Sequence, residues 1–117
     1  MPKLNIAIFA YVNETTGNIE IMFNNTYKIT YIDFVYCKWR NGNDDYTIKS
    51  TNIGGSVFSN KYDLRILEIA SYTSINGEIK DLKNLKKLYI VSLSSSACTG
   101  SKTDLYNNGA NITGFYI

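Results

Sequence analysis

Histidine is absent from this sequence of 117 residues. That removes the usual Ser–His and Cys–His nucleophile pairs and the common zinc sites. Two cysteines remain, Cys37 and Cys98, with no CxxC spacing. Cys37 lies in an apolar run and Cys98 at an apolar repeat position, so both are expected to be reduced, buried and inert. Asp44 and Asp45 could hold a cation, but they close the polar stretch Arg40-Asn41-Gly42-Asn43, which reads as a solvated turn. Glu68 and Glu78 fall in different parts of one repeat and are not an obvious acid–base pair. No Walker-type or dinucleotide-type glycine pattern is present. The residues therefore predict a protein that is not an enzyme, with no catalytic residue, cofactor or metal.

Lys80, Lys83, Lys86 and Lys87 could meet phosphate or an acidic partner. The simpler reading is a soluble helical face. The net charge is +2. Residues 1–60 are neutral; residues 61–117, with seven basic and five acidic side chains, supply the whole excess. That is too weak to predict a nucleic-acid footprint. Asp33-Phe34-Val35-Tyr36 lacks the glycines that an aromatic RNA-binding strand requires. Nucleic acid is thus not the expected partner. No apolar run approaches the roughly 20 residues of a membrane span. Ile6 to Val12 is too short, and has too little basic charge before it, for a signal peptide. The sequence reading is synthesis in the cytoplasm.

The elements that must carry these residues are mainly β with minor α. The chain has ten tyrosines and one proline, Pro2; Tyr, Ile and Thr favour strands, and Pro is depleted from sheet interiors. Leu4 to Val12 alternates, and Asn13 to Asn18 supplies a turn before Ile19, Ile21 and Phe23. That pair reads as an antiparallel hairpin. Tyr27 to Trp39 is a longer strand-like run whose apolar phase slips near Ile32, as at a bulge or a sharp bend. Residues 1–40 are therefore expected to form an antiparallel β cap within a single domain spanning 1–117.

From Tyr46 the chain repeats. Tyr46-Thr-Ile48-Lys-Ser50, Leu67-Glu-Ile69-Ala-Ser71 and Leu88-Tyr-Ile90-Val-Ser92 begin at evenly spaced positions, 46, 67 and 88. A period of about 21 residues with an L-x-x-L-x-L core marks stacked coils whose inward residues no single coil can bury. The three segments are expected to be adjacent parallel strands, with Ile48, Ile69 and Ile90 inward. A glycine after the strand suits a turn with positive φ. Lys80 to Lys87 predicts one or two helical turns, with Leu82 and Leu85 inward.

These residues carry a resemblance. Thr51-x-Ile53-x-Gly55-x-Val57, then Leu64-x-x-Leu67-x-Ile69 with Ile75-x-Gly77-x-Ile79, then Leu85-x-x-Leu88-x-Ile90 with Gly100, resemble bacterial leucine-rich repeats. Such repeats occur in proteins of anaerobic gut bacteria and their phages. The likeness covers roughly the C-terminal 70 residues, 46–117. It implies a short solenoid of parallel strands and a protein-interaction or assembly role, extending to a minor virion component.

In each coil the residues between and after the inward pair would face the exposed sheet. Lys49, Glu68, Ser71, Tyr89, Val91 and Ser92 are the candidate interaction face, for a protein partner. Phe115, Tyr116 and Ile117 are apolar, and the last coil of a solenoid exposes its core unless capped. They are the candidate assembly contact. Two other readings stay open: a small phage-encoded inhibitor of a host defence macromolecule, and a surface- or carbohydrate-binding module using the tyrosines.

Overall fold

Two apolar motifs set the architecture: Leu64-x-x-Leu67-x-Ile69 and Leu88-x-x-Val91-x-Leu93. The second repeats the spacing of the first, and every one of their apolar side chains is buried. A computed structural model describes residues 6–8, 28–33, 51–55, 58–69 and 75–117. It is mainly strands, in parallel sheets, with a few short helices. In chain order the strands are β1 (Ile6–Ile8), β2 (Tyr31–Asp33), β3 (Thr51–Asn52), β4 (Ile66–Glu68), β5 (Ile75–Glu78), β6 (Ile90–Ser92), β7 (Ala97–Thr99) and β8 (Gly114–Tyr116).

Two sheets alternate along the chain. One runs β1-β2-β4-β6-β8 and the other β3-β5-β7, with every neighbouring pair parallel. Parallel partners cannot be joined by a tight turn and need a crossover of a dozen or more residues. From β2 onward, the segment between neighbours of the first sheet passes through a strand of the second.

The register of the larger sheet aligns Ala7, Ile32, Leu67, Val91 and Phe115 in one row. Ile32, Leu67 and Val91 are fully buried, and Phe115 packs against the same core. Residues on either side point to the opposite face, because strand side chains alternate. A second row of buried residues, Ile29, Leu64, Leu88 and Ile112, precedes the inward residues Ile32, Leu67, Val91 and Phe115 by three positions. Each large apolar side chain withdrawn from water contributes about 1.5–3 kcal/mol, so these rows hold the sheets together.

The return path is built from successive i→i+3 turns. The Lys61 and Leu64 amides donate to the Phe58 and Lys61 carbonyls at 3.0 and 2.9 Å. One repeat later, the Leu85 and Leu88 amides donate to the Leu82 and Leu85 carbonyls at 3.0 and 3.3 Å. Lys61 therefore occupies the place that Leu85 takes in the next such pair of turns, and the two are 1% and 2% exposed. Burial pushes the Lys61 ammonium pKa down. A 3-10 helix, Ile79–Leu82, opens the second of these turns. Its Leu82, and Leu85 after it, are buried, while Lys80, Lys83, Lys86 and Lys87 are exposed, as the sequence predicts.

Gly77 lies within β5 at φ 115° and Gly100 follows β7 at φ 124°. Both take the positive φ expected of the repeat glycines, whereas Gly55, the glycine of the first repeat, does not.

Three expectations are corrected. The first is the period. Leu67 faces Val91 rather than Leu88, and Val91 in turn faces Phe115, so each step is three positions longer than expected. Residues 85–93 contain two overlapping frames, Leu85/Leu88/Ile90 and Leu88/Val91/Leu93. Leu85 is committed to a turn, so the second frame enters the strand. The second correction concerns neighbours: the other partner of β4 is β2, not residues 46–50. Of that segment, all lies outside the described residues. The third concerns residues 1–40, whose two described strands pair parallel, not antiparallel. The chain from Ile8 to Tyr31 is ample for a crossover. The expected strand at Ile19–Phe23 lies outside the described residues. The phase slip near Ile32 is no bulge. It is the step from Ile29 to Ile32, the same step as Leu64 to Leu67 and Leu88 to Val91, with Ile29 and Ile32 both buried.

Candidate interaction face

The outward face of the larger sheet is fixed by the same alternation that builds the core. One outward row aligns Tyr31, Ile66, Ile90 and Gly114. The other aligns Asp33, Glu68, Ser92 and Tyr116. Most of these residues are half-buried, so the face is open to solvent but not fully wet. Tyr116 is 59% exposed, and Tyr89, just before β6, is 36% exposed.

Asp33 and Glu68 stand directly opposite each other on adjacent strands. Like charges so placed are destabilising. The Glu68 carboxyl is pushed above the usual carboxylate range, first by burial, then by its hydrogen bond to Asp33 and the Asp33 charge. A hydrogen bond between two carboxyls needs one proton between them. The Tyr31 phenol is also pushed up, by burial first, then by the Glu68 charge and by the charge and hydrogen bond of Asp33, with Tyr89 a smaller contributor. The arrangement is a half-buried acidic centre rimmed by aromatic and aliphatic groups. It suits a cationic group arriving with apolar cover.

The raised Glu68 pKa has a definite sign. The folded chain holds that proton to higher pH than the unfolded chain does. Its contribution is fully present below the unfolded pKa and is lost as pH rises through the folded pKa. Glu68→Gln should abolish this decline and leave the protein more stable at neutral pH by ~0.2–1 kcal/mol, the scale of a cross-strand pair. Urea midpoints compared near pH ~4 and pH ~7 would check it; an equal gap between variant and parent at both would show the carboxyls to be independent.

The structure unites some of the expected residues and separates others. Glu68 and Ser92 share an outward row. Tyr89 lies beside the face but not in the Glu68 row, because the register shifts by three positions. Val91 is corrected: it is fully buried in the inward row. Lys49 and Ser71 lie outside the described residues. Phe115 is half-buried against the core, whereas Tyr116 and Ile117 are exposed, the latter at 45%. Tyr31, Asp33, Ile66 and Ile90 were not expected on this face. A frame drawn through Leu67 and Val91 would have placed Ile66 and Ile90 there.

Cys98 stands opposite Gly77 in the smaller sheet and is half-buried. Its thiol is free, and Sγ lies 3.8 Å from the Ile75 carbonyl oxygen, to which it donates. Burial pushes its pKa up, partly offset by a hydrogen bond with Ser96. A less populated thiolate reacts more slowly. Native protein should therefore release the Cys98 signal to a disulfide reagent more slowly than urea-unfolded protein at the same pH; equal rates would show an accessible, ordinary thiol. Cys37 lies outside the described residues.

Among the described residues, no group of three or more Cys, Asp or Glu side chains is placed to hold a metal ion. Among them too, no helix is long and apolar enough to cross a membrane. No protein-family model matches the sequence, and no curated protein or solved structure matches it significantly.

Proposed function

We propose that this chain is a non-enzymatic interaction module, built as a short leucine-rich-repeat-like solenoid, that engages a protein partner through the outward face of its larger sheet. The recurrence of Leu64/Leu67/Ile69 as Leu88/Val91/Leu93 supports the solenoid. One observation carries the binding role: Asp33 and Glu68 are opposed within a half-buried surface that also bears Tyr31, Ile66, Ile90 and Tyr116. At neutral pH, opposing two carboxyls on adjacent strands does not stabilise the fold. A partner that covers Ile66 and Ile90 and brings a lysine or arginine to the Glu68 carboxyl would favour its charged form and bury the apolar surface. The resemblance to phage repeat proteins extends this role to a minor virion component.

A photo-crosslinking residue placed at Ile90 tests the proposal. It should yield one discrete protein adduct, which Glu68→Lys abolishes. The same crosslinker at exposed Ser95, outside the face, should yield none. Equal adducts from both positions, or none from Ile90, would remove the sheet face as the binding surface.

A second reading is self-assembly at β8, favoured by one observation. Among the described residues β8 pairs on one side only, with β6, and carries exposed Tyr116 next to exposed Ile117. An open edge strand is a template for pairing with another chain. Removing residues 115–117 should lower the oligomer mass while circular dichroism persists; an unchanged mass would exclude this edge.

A further inference from the structure

The side of the molecule bearing the i→i+3 turns gathers four exposed lysines, Lys80, Lys83, Lys86 and Lys87, between two exposed rings. Lys83 donates its amide to the Lys80 carbonyl at 3.1 Å, and the turns through Leu85 and Leu88 continue the pattern. In this geometry side chains three apart eclipse, about 6 Å from one turn to the next at ~2.0 Å per residue. Leu82, Leu85 and Leu88 take the inward line. Lys80, Lys83 and Lys86 therefore form an outward ladder.

That ladder walls a groove of about 550 Å³, completed by Asn84, Tyr106, Asn107 and Asn108. Asn84 and Lys86 also line a neighbouring groove of about 480 Å³, with Tyr62, Asp63 and Lys87. The two form one path, with Tyr106 42% exposed at one end and Tyr62 60% exposed at the other. Lys86 lies over the Tyr106 ring, 5.4 Å from its centre. The acids near the path have partners, and Glu78 binds Lys80 at 2.9 Å in an exposed pair, worth little in water, that a phosphate can displace. Asp63 binds Lys87 at 2.7 Å, with Lys28 and Arg65 close enough to hold its carboxyl down further. Asp104 accepts the Ser101 amide at 2.9 Å in a capping box. Asn107 and Asn108 both hold positive φ, 55° each, at the groove wall. That conformation is uncommon away from glycine, and both residues are exposed beside the lysines.

We propose that this path binds a single-stranded nucleic acid, with phosphates along Lys80, Lys83, Lys86 and Lys87 and bases against Tyr106 and Tyr62. A basic groove that tracks the backbone, interleaved with aromatic rings on which bases stack, is how sequence-tolerant single-strand binding is built. An acidic protein segment would satisfy the lysines but would leave both rings unused. This surface is separate from the proposed protein-binding face, and either can fail without the other.

The test is fluorescence anisotropy of the full chain with a labelled oligothymidylate of about 12 nucleotides, within the range of single-strand site sizes. Binding is expected at low salt and should weaken as salt rises, by about 0.7 in the log–log slope per phosphate contact. Lys83→Glu with Lys86→Glu should cut affinity at least tenfold and flatten the slope. Tyr106→Ala should weaken binding several-fold and leave the slope unchanged, with circular dichroism reporting that each variant is folded. Polyglutamate of equal length should compete poorly. No binding at low salt would overturn the proposal. So would polyglutamate competing as well as the oligonucleotide while Tyr106→Ala has no effect, the outcome that assigns the groove to an acidic protein.

Discussion

Val91→Asp is expected to unfold the protein, and Ile90→Asp is expected to leave it folded. The two positions are adjacent in β6 but face opposite ways. Val91 is fully buried between Leu67 and Phe115 in the inward row, whereas Ile90 is half-exposed on the outward row beside Ile66. A carboxylate at position 91 loses the apolar packing and faces the desolvation of an unpaired charge. Together these cost ~4 kcal/mol or more, a large part of the ~5–15 kcal/mol that holds a typical domain folded. At position 90 the carboxylate reaches solvent. Circular dichroism and a urea titration of both variants would decide it. A folded Val91→Asp would restore the shorter frame, in which Val91 belongs to the exposed face.

Gly77→Ala should destabilise the protein by ~2–4 kcal/mol, adding backbone strain to a lost hydrogen bond. The φ of 115° at Gly77 is one that side chains of L-residues rarely adopt. A Cβ there would also lie 2.7 Å from Asn52 Oδ1 and 3.1 Å from the Ile53 nitrogen. Asn52 cannot yield freely, because the same Oδ1 accepts the Gly54 amide at 2.7 Å. The matched control is Gly114→Ala. Its φ is not positive, its new Cβ would meet Tyr116 and Ile90 side-chain carbons at 3.5 and 3.6 Å, and it should change stability by no more than ~0.5 kcal/mol. Equal midpoints for the two variants would show that the Gly77 turn tolerates a side chain.

Much of the fold was legible in particular residues. Leu64, Leu67 and Ile69 announced an inward motif, and Gly77 and Gly100 announced positive φ. The frame of the next motif was not legible, because Leu85 to Leu93 satisfies the same pattern twice. Only the packing of Leu93, and the capture of Leu85 by a turn, chooses between them. Ile29 and Ile32 were harder still. The step from Ile32 to its partner Leu67 is much longer than the step from Leu67 to Val91, so no regular spacing ties β2 to the sheet. Without that link residues 1–40 resembled hairpins, and Tyr31 and Asp33 were missed on the outward face. Glu68 and Ser92 were found because each lies next to an inward residue, and Val91 was misplaced by the slip between the two frames. Lys61 could not have been read as a core residue. Its charge hides a stem that fills the place of Leu85.

The equal steps from β4 to β6 and from β6 to β8 have a consequence for how the chain opens. Among the described residues β4 pairs with β2 and β6, β6 with β4 and β8, and β8 with β6 alone, so losing the outermost strand removes one ladder and leaves the next intact. Local openings should then spread inward from β8, each requiring the one before it. The Leu93 amide, bonded to the Tyr116 carbonyl at 2.7 Å, is released when β8 alone departs. The Ile69 amide, bonded to the Ser92 carbonyl at 2.8 Å, is released only after β6 goes as well. Hydrogen exchange should therefore be graded, with Leu93 exchanging sooner than Ile69 although both side chains are fully buried.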